Sequence, residues 1–496
     1  MGFPILSSLV FIPIVSAILL LFVKQKSVIR LIGLIASLAV FVLFLILYGA
    51  FNDASGELQF VERNAWIEQF GISYYLGTDG ISLLLVGLTA FMWPLALLGS
   101  WNAITDRVRE YHIFMLLMES ALLGVFLSFD VFLFYLFWEG MLIPMYFLIG
   151  IWGYEKRTYA AVKFFMFAVF GSLLMLIALI TLVYLHFQQT GLMSFDLFLL
   201  YQTSIPAGIQ IWLALAFIVA FAVKVPMFPF HTWLPDAIVL AVVVVKMAAY
   251  GFLRFSLPMF PETLPILAPW LCALAVIGII YGALVALAQT DLKKLVAYST
   301  ISHSGFIVLG VFALNEQGIQ GAVLQIVSLG LSTGGLFLAL MMLEERGKSW
   351  DMNTYGGLWH TIPVFGGFLM VFTLASLGLP GLSNFVGEFL ILVGAFQTHQ
   401  LLAILATLGV ILAAVYMLRM YRHLMFGPLK NQRLGQIKDL GTREFVVCAC
   451  LAGMIIWIGV YPQPFLKTMD ASVQKLLQTT QTSAIETETQ LSKAGS

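Results

Sequence analysis

Charge is what this chain has least of. Only 10% of its 496 residues are Asp, Glu, Lys or Arg, against 61% that are hydrophobic, whereas soluble domains carry about 25% charged residues. With a mean hydropathy of +0.98, that shortage excludes a soluble globular domain. Cysteine is scarce too. Cys272, Cys448 and Cys450 are the three in the chain and show no CxxC spacing, which argues against a zinc or iron–sulfur site. No Gly-rich nucleotide loop is present. The seven histidines, at 112, 186, 231, 303, 360, 399 and 423, put no pair on any one helix, as two membrane haems held between helices would require. The chain is therefore read as holding no metal or redox cofactor. Its formal net charge of zero says nothing about nucleic acid, and no nucleic-acid partner is expected.

What is present is apolar length. Runs that can span a bilayer at about 20 residues each recur from end to end. They predict an all-α polytopic membrane protein of about fourteen transmembrane helices, centred near residues 13, 39, 90, 119, 141, 171, 217, 248, 275, 303, 330, 370, 412 and 453. Lys and Arg favour cytoplasmic loops. With the N-terminus outside, inside loops hold 17 basic residues: Lys24, Lys26, Arg30, Arg107, Arg109, Lys156, Arg157, Lys293, Lys294, Arg346, Lys348, Arg419, Arg422, Lys430, Arg433, Lys438 and Arg443. Only Arg63, Lys467, Lys475 and Lys493 lie outside, and Lys163, Lys224, Lys246 and Arg254 fall in or at the ends of spans. An even helix count with both termini outside fits that split. No basic residue precedes the first apolar run, so it is expected to stay in place rather than be cleaved. The polar stretch from Gln478 to Ser496 is read as a disordered tail.

Against this background a few charges stand inside apolar runs. Lys224 is followed at once by Pro226 and Pro229 in Phe221-Ala-Val-Lys-Val-Pro-Met-Phe-Pro-Phe-His-Thr-Trp-Leu-Pro-Asp236. A charge at the bilayer centre costs from about 3 to over 10 kcal/mol, so it is kept for a partner, a water cavity or a function. Each proline removes a donor and disfavours helix before it, leaving carbonyls that hydrocarbon cannot satisfy. Glu139, Lys246 and Glu388 likewise have apolar neighbours on both sides, and His303 lies in a polar Ser-rich run. Lys163, Glu119 and Asp236 lie nearer helix ends, where structural pairing or snorkelling weighs more than it does for the other charges. A second break, Leu379-Pro380-Gly381, precedes Glu388 about five helices after the first. Paired discontinuous helices in two halves point to an inverted repeat with ions handled at the breaks.

Four stretches carry a family resemblance: Phe137-Trp-Glu-Gly-Met-Leu-Ile-Pro, Lys224-Val-Pro-Met-Phe-Pro-Phe-His-Thr-Trp-Leu-Pro-Asp-Ala, Asp291-Leu-Lys-Lys-Leu-Val-Ala-Tyr-Ser-Thr-Ile-Ser-His and Asn384-Phe-Val-Gly-Glu-Phe. The chain resembles the antiporter-like proton-pumping subunits of respiratory complex I, NADH-quinone oxidoreductase, over nearly its whole length. Glu388, where L- and N-type subunits and multisubunit antiporters generally carry Lys, points to the M-type (chain 4) branch. The resemblance implies helices 1–3 in residues 1–108, two inverted five-helix repeats at 109–258 and 259–428 with broken seventh and twelfth helices, and a last helix and tail at 429–496. It implies a Glu139–Lys224 pair, Lys246 as connecting lysine, a proton path on through His303, and Glu388 as terminal group. It further implies a non-redox subunit of an enzyme complex whose NADH, FMN, iron–sulfur and quinone sites lie in partner subunits. Neighbours would be L-like, N-like and small membrane subunits with lipid around them, in a bacterial plasma membrane.

The chain departs from the family pattern twice. About nine residues are missing where Ala237 runs into Ile238, and the His-Gly of helix 11 is replaced by Leu329-Gly330. Apolar Leu cannot relay a proton, so water, Gln325, Ser328 or His303 would have to bridge. A multisubunit cation/proton antiporter subunit and an assembly subunit with a closed channel are the competing readings.

Overall fold

The computed structural model describes the backbone of residues 3–153, 156–236, 241–430 and 432–494, and the side chains of these except 241–244, 432–433 and 481–494. The 237–238 junction lies outside the described residues.

In chain order the elements are α1 (Ile5–Leu20), α2 (Lys26–Gly49), β1 (Gln59–Ile67), β2 (Ile72–Thr78), α3 (Gly80–Gly99), α4 (Val108–Leu127), α5 (Val131–Gly140), α6 (Leu142–Trp152), α7 (Arg157–Thr190), α8 (Leu197–Tyr201) and α9 (Ala207–Lys224). A 3-10 segment, Phe230–Asp236, and α10 (Ala241–Gly251) follow, then a π-helical turn, Phe252–Ser256, and α11 (Leu257–Met259). The chain continues through α12 (Leu264–Ala288), α13 (Leu292–Val311), α14 (Glu316–Gly347), α15 (Pro363–Ser376), α16 (Ser383–Thr398), α17 (Gln400–Met425), α18 (Thr442–Val460) and α19 (Gln463–Ala494).

Ten helices among the described residues are long and apolar enough to cross a membrane, counting α5 and α6 as one interrupted span. The others fall short for local reasons. α1 and α15 are shorter apolar helices, and α13 carries Lys293, Lys294, Ser299, Ser302, His303 and Ser304. Breaks leave α10 and α16 with 11 and 16 residues. The chain is a multi-pass membrane protein. α14 lies deepest, with 89% of its most apolar window buried, and α3, α10, α13, α16 and α18 pack around it.

Asp side chains start many of these helices. Asp130, Asp196 and Asp291 accept backbone N–H bonds at the first turns of α5, α8 and α13, and Asp79 forms a capping box with Ser82 at α3. Each satisfies donors that the first helical turn leaves open. The strands pair antiparallel, with Glu62 opposite Leu76 and Ala65 opposite Ser73.

The expected breaks are present, and a third is added. α9 ends at Lys224 ahead of the two prolines, and α15 ends before a turn in which Gly378 and Gly381 take φ of 77° and 91°, values open to glycine without strain. A further interruption at Met141 divides α5 from α6 beside Glu139. The tail from Gln478, expected to be disordered, is instead helical to Ala494. Met469, Val473 and Leu476 bury an apolar stripe at helical spacing, and no proline or glycine follows until Gly495, so the helix propagates.

Candidate ion path at the helix breaks

Lys224 is the last residue of α9 and only 1% exposed. A cation at a helix C-terminus complements the dipole, and the break gives it more. Its Nζ donates to the Trp138 carbonyl at 3.2 Å and lies 3.7 Å from the centroid of the Trp138 ring, a desolvated cation–π contact of about 2 kcal/mol. Trp138 is held in turn by Nε1 donating to Ser172 Oγ at 3.0 Å. Carbonyls freed by the break are recovered locally, since Trp233 Nε1 donates to Val223 O at 2.7 Å.

No direct ion pair joins Lys224 to Glu139 among the described residues. Trp138, one residue earlier, occupies the ammonium instead. Glu139 Oε1 is buried without a hydrogen-bond partner, a position that water or a proton would satisfy. Lys163 and Asp236 form a 2.9 Å ion pair, and Lys163 also donates to Thr232 O at 2.6 Å, pinning the 3-10 segment to α7. His231 is buried beside Phe228 and Tyr281. Glu119 is wholly buried in α4 and accepts from Ser37 Oγ at 2.8 Å.

Lys246 stands apart from both breaks. It is 5% exposed on α10, and its tip lies on α14 at Gly330, where an added Cβ would come within 2.5 Å of Nζ. No hydrogen bond or ion pair engages it among the described residues. Leu329, next to that seat, is 3% exposed.

At the second break three helices converge. Glu388 Oε1 on α16 accepts from His303 Nδ1 on α13 at 2.9 Å and from Gln325 Nε2 on α14 at 3.0 Å. If the carboxylate is ionised it only accepts, so that tautomer carries its proton on Nδ1. His303 Nε2 lies 3.4 Å from the Tyr416 hydroxyl of α17. Gly378 in the break leaves room for the other oxygen, since a Cβ there would stand 2.8 Å from Glu388 Oε2. Ser328 Oγ donates to Ser383 O at 3.1 Å and closes α14 onto the start of α16. His303 and Glu388 are thus in contact, Glu139 and Lys224 are neighbours through Trp138, and Lys246 is seated on α14 at Gly330 without contact to either group among the described residues.

Sequence reasoning missed one buried ion pair, Arg254 with Asp79. Its signals were present but weak: Arg254 is the one arginine inside a span, and Asp79-Gly-Ile-Ser82 reads only as a helix cap. It also missed Arg346 gripping Glu444 through Nη1–Oε1 at 3.1 Å and Nη2–Oε2 at 2.6 Å.

Fold and site define a polytopic membrane protein with titratable side chains buried at paired helix discontinuities. The family model described as NADH:quinone oxidoreductase/Mrp antiporter, transmembrane, matches residues 128–414. NADH-quinone oxidoreductase subunit M of Rhodobacter capsulatus is 43% identical over 96% of this chain and 96% of its own length. NADH-ubiquinone oxidoreductase chain 4 of Arabidopsis thaliana is 43% identical over 95% of this chain and 97% of its own. A chain in the solved respiratory complex I of Thermus thermophilus with bound NADH superimposes with a TM-score of 0.86 at 31% identity, covering 95% of this chain and 99% of that one. The chain belongs to the subunit M (chain 4) family of NADH-quinone oxidoreductase.

Proposed function

We propose that this chain is a proton-translocating membrane-arm subunit of an NADH:quinone oxidoreductase. Electron transfer from NADH to quinone is done by other subunits, which hold the NADH, FMN, iron–sulfur and quinone sites. L-like, N-like and small membrane subunits are its neighbours. The observation that carries this reading is Lys224: a buried ammonium at a broken helix, held by the carbonyl and ring of Trp138, with Glu139 the next residue along. Moving Glu139 changes how firmly Lys224 holds its proton, because an opposite charge favours the protonated form and burial disfavours it. The cluster of His303, Gln325 and Glu388 at the other break supplies the second set of proton-handling groups.

In this reading the chain crosses a bacterial plasma membrane fourteen times with both termini outside. Residues 1–108 form the first three helices, 109–258 and 259–428 two inverted repeats, and 429–496 the terminal part. A proton taken up at Lys224 passes through Lys246 and His303 toward Glu388. In the whole complex reconstituted in vesicles, Lys224→Ala is expected to abolish this subunit's share of proton uptake while NADH oxidation by an artificial acceptor still reports an assembled complex. Parental pumping in that variant would overturn the reading.

A further inference from the structure

Lys246 has an outward-facing set of polar groups as well as the route past Leu329. On its own helix Tyr250 follows Lys246 at a four-residue step, a spacing that places the two on one face, and Arg254 lies four residues further on in the π-helical turn Phe252–Ser256. From Lys246 this stretch leads toward one edge of the fold. That edge is the end bearing the hairpin: the Tyr250 hydroxyl donates to Phe126 O at 3.0 Å, in the last turn of α4, and the Arg254 guanidinium lies 5.4 Å from the rings of both Tyr250 and Phe129. Arg254 pairs with Asp79, the N-cap of α3.

All four side chains are buried: Lys246 at 5%, Tyr250 at 1%, Arg254 at 6% and Asp79 at 3% exposure. The cluster is incompletely satisfied. Arg254 Nε and Ser256 Oγ are buried without a partner, although buried donors in folded proteins are paired with protein or ordered water. Arg254 and Ser256 both sit in the π-helical turn Phe252–Ser256, a backbone form common at functional sites. A purely structural clamp needs only the Arg254–Asp79 pair. It gives no reason for a buried lysine one turn before Tyr250, or for the two orphan donors beside the pair.

We propose that Tyr250 and Asp79 are proton-relay residues that carry the Lys246 proton to the hairpin side, with Arg254 as the positioning residue that gates them. The inference rests on the proton-translocating reading. An N–H bond of the Lys246 ammonium breaks, leaving the neutral amine, and the proton passes by water to the Tyr250 oxygen as that hydroxyl turns from Phe126 O and gives its own proton to the Asp79 carboxylate. An O–H bond then forms on Asp79 when Arg254 moves off it and breaks again to water, with no change in electron count. At rest Arg254 occupies Asp79, and its positive charge opposes protons returning from outside. Leu329 does not block this route.

The test is the proton-to-electron ratio of the whole complex in vesicles during NADH oxidation by quinone. Lys246→Ala sets the size of the loss when this subunit's path is cut. Tyr250→Phe, which removes one hydroxyl, and Asp79→Asn, which keeps a good N-cap but accepts no proton as a carboxylate does, are each expected to lower the ratio by the same step, and Asp79→Glu to restore it. If Asp79→Asn fails to assemble, Tyr250→Phe decides alone. A lowered ratio in Lys246→Ala with the parental ratio in Tyr250→Phe overturns this proposal and leaves the proton-translocating reading standing. A parental ratio in Lys246→Ala itself overturns both.

Discussion

Gly330 is the residue against which the Lys246 tip is seated. A methyl group there would stand 2.5 Å from Nζ and 2.6 Å from Cε, with Leu88 Cδ2 at 2.9 Å. The atoms in the way are the far end of a flexible side chain, so the fold can absorb the change by moving Lys246. Gly330→Ala is therefore expected to change stability by no more than about 1 kcal/mol, since alanine is also the better helix former, leaving the melting temperature of the complex near the parental one while lowering the proton-to-electron ratio. A parental ratio would show that the position of Lys246 is not critical. At this scale the sequence was legible for charges and silent about partners. Lys224, Lys246 and Glu388 stand out because each interrupts an apolar run. Their contacts come from elsewhere in the chain: His303 and Glu388 are 85 residues apart, and Trp138 reaches Lys224 with a carbonyl and a ring, neither of which advertises itself as a cation site.

The elements around the second break owe their closeness to glycines. On α14, a Cβ at Gly321 would lie 2.7 Å from Ile391 N and 2.9 Å from Gly387 O, both backbone atoms of α16. Backbone cannot step aside as a lysine tip can. Gly321→Ala is expected to destabilise the subunit by about 1–3 kcal/mol through overpacking, read as a lower melting temperature of the complex. Gly453→Ala on α18, where no atom lies within 4 Å, is expected to show no loss; equal melting temperatures for the two would refute tight α14–α16 packing. The breaks that these helices frame were legible because proline and glycine mark them. The joint at Met141 was not, since Gly140 and Pro144 flank a run that reads as one apolar span. The helical tail was missed for the opposite reason: its composition is polar, and what anchors the helix ahead of it is burial of Met469, Val473 and Leu476 against the rest of the fold.

Over the whole molecule the loops sort into two ends, and their charges differ. At one end Lys26 and Arg30 donate to Thr105 O and Ile104 O at 2.8 and 2.9 Å, and Arg346 donates to Lys438 O at 2.9 Å. At the other, Arg63 pairs with Asp196 at 2.9 Å, Lys475 with Glu57 at 2.5 Å, and Gly80 N donates to Ser472 Oγ at 2.9 Å. The fourteen-helix sequence reading assigns 17 basic residues to the first end and 4 to the second, and basic loops stay in the cytoplasm. Asp79 and Arg254 belong to the second end, so orientation decides whether the route from Lys246 releases protons outside or takes them up. In a Cys450→Ala background, which removes the one exposed native thiol, single cysteines at Lys467 and Lys24 separate the alternatives. Both sites are exposed. In right-side-out vesicles a membrane-impermeant maleimide is expected to label Lys467→Cys at once and Lys24→Cys only after permeabilisation. The reverse pattern would invert the chain in the membrane and turn the Tyr250–Asp79 route from a proton exit into a proton inlet.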